Sequence, residues 1–280
     1  METGQKFTTL LKTNNIDNSI NKRLSVQVSL IGLSFLVTNL ESDETLFFIE
    51  KSLPHSTTPE ELLIEIENTL SENTIFDGPF SEISIVYATS NYSLVPQTLF
   101  DESKSSEYLK FNSKILANDY IAHDRLETLG VVVVYVPFIN INNYFFERYG
   151  SFSYFHSTTI LLNTLLAKEN QSDSPTVHLH FLKNSFDCII IKDGALQLCN
   201  TFQFKTPEDF IYYTLFCFEQ LKLNPDTVPV TLYGDIDENN NLYKIAYTYI
   251  RNVQFADFQQ HTKFIDAAMP HNHFILKNTL

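Results

Sequence analysis

Short apolar bursts punctuate this chain, and they come twice in the same order. From Leu24 three strand-like runs follow one another: LSVQVSL, IGLSFLVTN and TLFFIEKSLP, with the polar ESDE parting the last two. Brief runs rich in β-branched and aromatic residues, bounded by polar breaks, predict strands. Residues 24–54 therefore read as a three-strand meander. Thr58-Pro59-Glu60-Glu61 then opens a helix. Thr58 is suited to the N-cap, Pro59 to the first helical position, and Glu61 can close a capping box. Leu63, Ile66 and Leu70 follow at helical spacing, and SEISIVYA at 81–88 reads as a further strand.

The order recurs from Pro175. TVHLHFL, FDCIIIKDG and ALQLCNTFQF are again strand-like, with Asp193-Gly194 as a hairpin turn. Thr206-Pro207-Glu208-Asp209 repeats the cap chemistry, Phe210, Leu215, Phe218 and Leu221 supply an apolar stripe, and VPVTLYG closes the unit. Both halves spell strand, strand, strand, helix, strand, with T-P-E-[ED] at the matching point, which points to a duplication, with convergence on good capping chemistry as the competing reading. Between the copies, helices are expected near 103–111, 139–149 and 157–168, and strands near 120–123, 131–136 and 151–156. A helix is expected at 239–251, and the tail from Val253 has no clear pattern. The fold class predicted is α/β, built on duplicated βββαβ units. The expected divisions are an N-terminal arm at 1–23, a first half at 24–156 with an inserted subdomain at about 93–150, and a second half at 157–280.

Composition narrows the setting. The chain has 280 residues with 24 Phe and 14 Tyr but no Trp, so its core is aromatic. A net charge of −14 repels phosphate backbones and argues against nucleic acid as a partner. The apolar runs at 30–37 and 131–138 fall far short of the about 20 residues that span a bilayer, and the N-terminus lacks a signal-peptide core. A cytoplasmic protein with a loosely held N-terminal arm is expected, without membrane insertion. Cys188, Cys199 and Cys217 form no C-x-x-C pair and sit in apolar stretches, as buried reduced thiols do.

Over most of its length the chain resembles an uncharacterised bacterial family, domain of unknown function 3822. The resemblance is carried by SLVPQTLFDESKSSEYLKFN at 93–112, VVVVYVPF at 131–138, FHSTTILLNTLL at 155–166 and LCNTFQFKTPEDFIYY at 198–213. It implies two ribonuclease H-like units in an actin-like ATPase architecture. More distantly the chain is similar to actin-like proteins of pilus assembly and cell division, in which an inserted subdomain makes protein contacts. That implies a contact surface in 93–150, where Phe145 and Phe146 are a candidate anchor pair, a core role competing for both.

The chemistry of an actin-like ATPase is thin in these residues. Phosphate-holding hairpins need glycine where backbone N–H groups approach the ligand, and an acidic residue to orient magnesium or water. The first hairpin, VSLIGLSF, has Gly32 but no Asp. The second, HFLKNSFD, offers Lys183-Asn184-Ser185 instead of glycine, and Asp187 lies late. Where paired glycines would meet adenosine there is only Gly234. The seven glycines are far apart, against roughly 20 in an average chain of this size, so no G-x-G, Walker A or dinucleotide motif exists.

Other constellations read as structural. His178 and His180 share a strand face and could hold a metal, but solvent-facing histidines are expected there, as at His271 and His273. Asp235, Asp237 and Glu238 could gather a hard cation, though turn and cap formation accounts for them. His123-Asp124-Arg125 suggests acid–base chemistry, but without a nucleophile elbow it reads as a surface turn. The first strands carry no carboxylate, which disfavours two-metal hydrolysis. No catalytic, cofactor or metal residue is assigned, and no cofactor is expected. Two functions stay open: a non-catalytic adaptor or scaffold that binds an unidentified protein partner, and a nucleotide-binding actin-like ATPase with atypical loops.

Overall fold

Each T-P-E-[ED] string begins a helix by the same device. Thr58 accepts the Glu61 N–H while the Glu61 side chain accepts the Thr58 N–H, and helix α1 runs Pro59–Glu72. Thr206 and Asp209 do the same for a later helix, Pro207–Gln220. Two such reciprocal caps satisfy N–H groups that a helix start otherwise leaves open. The computed structural model describes residues 7–11, 21–53, 57–110, 115–116, 119–169, 174–257 and 271–279. The chain divides into two compact units, the first ending at Leu162 and the second beginning at Asn163, with Ile275–Leu280 belonging to the first.

The first unit contains a six-stranded sheet. Strands β2 (Lys22–Ser29), β3 (Gly32–Asn39) and β4 (Thr45–Ser52) form the antiparallel meander, and β5 (Glu82–Tyr87), after α1, returns parallel to β2. A further strand, β9 (Ser153–His156), adds parallel to β5. The outer edge of β4 is covered by β1 (Phe7–Leu11), antiparallel, with Phe7 opposite Lys51. The expected loose arm is thus corrected over these residues. A short polar-flanked segment gives little apolar signal, but an open sheet edge supplies main-chain partners. On α1 the buried positions are Leu62, Ile66, Thr69 and Leu70; Leu63, expected in the stripe, is half-buried.

Between β5 and β9 the chain builds a separate three-stranded sheet in the order β6 (Tyr92–Pro96), β8 (Val131–Tyr135), β7 (Ala122–Leu126). The central strand β8 is nearly all valine, and Val132, Val133, Val134 and Tyr135 are fully buried, as a strand flanked on both sides requires. Helix α2 (Ser105–Leu109) packs on this sheet. Helix α3 (Ile139–Tyr149) packs instead on α1, and the Asn140 side chain donates to the Pro59 carbonyl at 2.7 Å. On α3, Phe145 is fully buried and Phe146 is exposed. Helix α4 (Ser157–Glu169) follows β9 directly.

The second unit repeats the pattern with β10 (Thr176–Phe181), β11 (Ser185–Lys192), β12 (Ala195–Gln203), α5 (Pro207–Gln220), β13 (Val230–Gly234), α6 (Asn241–Tyr249) and β14 (Val253–Phe255). The sheet order β12-β11-β10-β13-β14 matches β4-β3-β2-β5-β9 strand for strand, with β13 parallel to β10. The β11–β12 turn places Asp193 at φ 53° and Gly194 at φ 69°, the two positive φ values of a type I′ hairpin turn. Phe181, Phe186 and Phe210 meet at ring separations of 5.0–6.1 Å in its core. Leu215 and Leu221, expected in the α5 stripe, are half-buried; Ile211, Thr214 and Cys217 face inward instead. A short helix α7 (Phe274–Lys277) closes the described chain.

Candidate functional site

The β2–β3 and β10–β11 hairpins are where the resemblance to actin-like ATPases implies a phosphate cradle. In the first unit the Ser29 hydroxyl bridges its own turn: it accepts the Ile31 N–H at 3.4 Å and donates to the Gly32 carbonyl at 2.9 Å. Leu53 and Thr57 donate their N–H groups to the carbonyls of Ile31 and Leu30. The turn is thereby tied inward, and Gly32 sits in the ladder between Ser29 and Ser52. A side chain there would press the Lys51 carbonyl at 3.1 Å, which accounts for the glycine as packing. In the second unit the turn runs through Lys183 and Asn184, with Leu182 N–H donating to Ser185 O at 2.9 Å.

Gly234 ends β13 at φ +86°, and a Cβ added there would overlap the Phe181 carbonyl oxygen. Asp235 N–H donates to that same oxygen at 3.2 Å. The glycine is therefore required for the contact between the ends of β10 and β13. Asp237 accepts the N–H groups of Asn239 and Asn240 at 2.7 and 3.0 Å, forming the turn before α6. Asp235 and Glu238 are exposed. Among the described residues no group of three His, Cys, Asp or Glu is arranged to hold a metal.

His123, Asp124 and Arg125 are not a surface turn: they are the middle of β7. Asp124 Oδ1 accepts the Tyr135 hydroxyl at 3.0 Å, and Oδ2 accepts both the Thr159 hydroxyl at 2.6 Å and the His156 N–H at 2.9 Å. Burial raises the Asp124 carboxyl above its ordinary range, against the pull of these three donors. Burial and the adjacent carboxylate push the Tyr135 phenol up as well, keeping it a donor. One β7 side chain thus holds the neighbouring strand of its own sheet, the end of β9 and the start of α4. Sequence patterning missed this, because a single Asp in a short polar strand carries no periodic signal.

Beside this network is a cavity of about 630 Å³, lined by β7, by Glu102, Ser105 and Asp119, and by Tyr154 of β9. The Tyr154 and Tyr120 hydroxyls are 3.5 Å apart, and burial pushes Tyr154 up to about 12. His123 packs its ring 4.9 Å from Phe100, over which Arg125 also lies.

The family model described as "Protein of unknown function (DUF3822)" matches residues 11–253. The chain belongs to the DUF3822 family. A Bacteroides thetaiotaomicron protein with an actin-like ATPase fold and unknown function is similar at 22% identity, over 95% of this chain and 98% of that one, with TM-score 0.79. The PilM–PilN type IV pilus biogenesis complex holds a chain similar at 11% identity, over 87% of this chain and 90% of that one, with TM-score 0.56. At these identities the likeness concerns fold: this DUF3822 protein has the actin-like architecture of two ribonuclease H-like units. No curated protein matches it. No helix among the described residues is long and apolar enough to cross a membrane.

The histidines of this DUF3822 chain correct the solvent-facing reading. His178 and His180 are 2% and 3% exposed, because β10 is a central strand and both of its faces are covered. His180 Nδ1 lies 3.0 Å from Asp187 Oδ2, whose other oxygen accepts the Thr201 hydroxyl at 2.6 Å. Asp187 stands directly across the β10–β11 ladder from His180. His178 bonds the Tyr233 hydroxyl and Thr176, and burial lowers its pKa to about 4. His271 is also buried, bonded to the Ile236 carbonyl at 2.7 Å and stacked on Phe255; His273 is half-buried. Cys188 and Cys217 are buried as expected, whereas Cys199 is half-exposed on β12, which is corrected likewise. The hydrogen bond with Cys217, together with burial, holds the Cys188 thiol well above its usual range.

Proposed function

We propose that this actin-like body serves as a non-catalytic adaptor that binds a protein partner. The observation that carries the reading is the first hairpin. A phosphate cradle aims several backbone N–H groups outward at the anion, but here the Ile31 N–H is taken by the Ser29 hydroxyl and the glycine is used in the ladder. The second turn supports the same reading, since Lys183-Asn184 adds side chains where a phosphate loop would have glycine. Catalysis of phosphoryl transfer would further need a positioned water and charge stabilisation in the transition state. The similarity to a chain in the PilM–PilN complex is consistent with a protein partner for a body of this shape. The inserted segment 93–150 offers the contact surface, with exposed Phe146 as one anchor. A cytoplasmic setting and an absence of nucleic-acid binding fit the net charge of −14.

Calorimetry with ATP and magnesium, beside a single-turnover hydrolysis assay, tests this. No heat of binding at millimolar nucleotide and no phosphate release are expected. Micromolar binding with measurable phosphate release overturns the adaptor and restores the nucleotide-hydrolysing reading.

A further inference from the structure

The cavity beside Asp124 has features that the fold does not explain. Four consecutive residues, Ile121 to Asp124, line it. Neighbouring side chains on a strand point to opposite faces, so the cavity is met by the edge of β7 rather than by one of its faces. In the order β6-β8-β7 that strand is outermost, with its partner β8 on the other side. Among the described residues no strand pairs with that outer edge, so the cavity borders the usual template for adding an extended peptide. Across it stands Tyr154 on β9, which is itself the edge of the six-stranded sheet.

The side chains specify the charge of the occupant. Glu102 and Asp119 bring carboxylates to the lining, along with Tyr120 and Tyr154, and among the described residues neither Lys nor Arg lines the cavity. Two basic residues near it in the chain are engaged elsewhere: Lys104 pairs with Asp101 at 3.2 Å and Arg125 lies over Phe100 at 5.2 Å. Phenol rings and carboxylates together suit a guanidinium or ammonium group. A volume of about 630 Å³ falls in the range of ordinary ligand pockets, about 300–1,000 Å³.

We infer that this cavity is the docking site for an extended segment of a partner protein, whose main chain pairs along β7 and whose arginine or lysine meets Glu102 and Asp119 beside Tyr120. This rests on the adaptor reading above and names the chemistry of its partner. The segment adds a strand to the three-stranded sheet, and the basic side chain sets its register.

The test uses the full chain and three probes: the blocked peptide Thr-Val-Arg-Val-Thr, the same peptide with neutral citrulline for arginine, and blocked arginine amide alone. Amide resonances of 102–106 and 119–124 should shift with the arginine peptide, which should bind about tenfold tighter than the citrulline peptide and about tenfold tighter than arginine amide. Glu102→Gln and Asp119→Asn should each weaken it several-fold; the amide introduced by Asp119→Asn keeps an acceptor for the Leu116 N–H that Asp119 now holds at 2.7 Å. Equal binding of the citrulline peptide overturns the cationic recognition. Arginine amide binding as tightly as the peptide overturns strand pairing, and shifts confined to other residues overturn the site. None of these results bears on the nucleotide measurements, so the adaptor reading stands or falls separately.

Discussion

Asp124 on β7 accepts the hydroxyl of Thr159 on α4 at 2.6 Å, across 35 positions of sequence. The same carboxylate oxygen takes the His156 N–H, so the edge of the inserted sheet is bonded to the point where β9 turns into a helix. Through this one side chain three elements of the first unit are joined to β7.

Removing that carboxylate should therefore cost more than an ordinary surface change. Asp124→Ala leaves the Tyr135 hydroxyl, the Thr159 hydroxyl and the His156 N–H without their acceptor. Each buried donor left unsatisfied costs about 1–3 kcal/mol, so a loss of roughly 3 kcal/mol or more is expected in urea denaturation. Asp124→Asn keeps an acceptor and should cost less. The pH dependence separates the two states of the acid. Because burial raises the folded carboxyl above its unfolded value, the native state holds the proton longer. Its contribution is full below the unfolded pKa and falls as pH rises through the folded one. Wild type should lose stability relative to Asp124→Asn as pH climbs from the ordinary carboxylate range upward. A pH-independent difference between the two would remove burial as the dominant influence.

His178 has the opposite sign. Burial lowers it from an ordinary 6.5 to about 4, so the unfolded chain binds the proton first. The stability it contributes is complete above pH 6.5 and is lost as pH falls from there through 4, by up to roughly 3 kcal/mol. His178→Gln should flatten that part of the stability profile. Chemical denaturation at half-unit pH steps checks it, and an unchanged slope would count against a neutral buried imidazole.

Two glycines with similar backbone angles should respond differently. Gly194 has φ 69° and open space around a would-be Cβ, whereas at Gly234, φ 86°, the Cβ would overlap the Phe181 carbonyl. Gly194→Ala should cost about 1 kcal/mol, the strain of left-handed backbone alone. Gly234→Ala adds a steric clash against main chain and should lose at least about 3 kcal/mol. Thermal melts of both variants suffice; equal losses would mean that β13 shifts to accommodate the methyl.

The paired caps provide an internal comparison. Thr58→Ala and Thr206→Ala each remove one member of a reciprocal cap, and each should cost about 1 kcal/mol. Placed in separate units, the two losses should add in the double variant. A strongly non-additive result would show that the caps communicate.

The βββαβ order, the duplication and the starts of α1 and α5 were legible in the chain, because they are local. Strand runs, turn residues and T-P-E-[ED] caps act over a few positions, so Thr58, Thr206 and the Asp193-Gly194 turn could be placed from their neighbours alone. What only the tertiary structure decided was the surroundings of polar residues. His180 and Asp187 are seven apart in sequence and become partners through strand register. His178 looks solvent-facing by alternation, yet it is buried because its strand is central. Asp124 finds Thr159 and His156 only when a distant helix start is brought against β7. Alternation tells which side chains share a face, but whether that face meets water depends on what the rest of the chain lays over it.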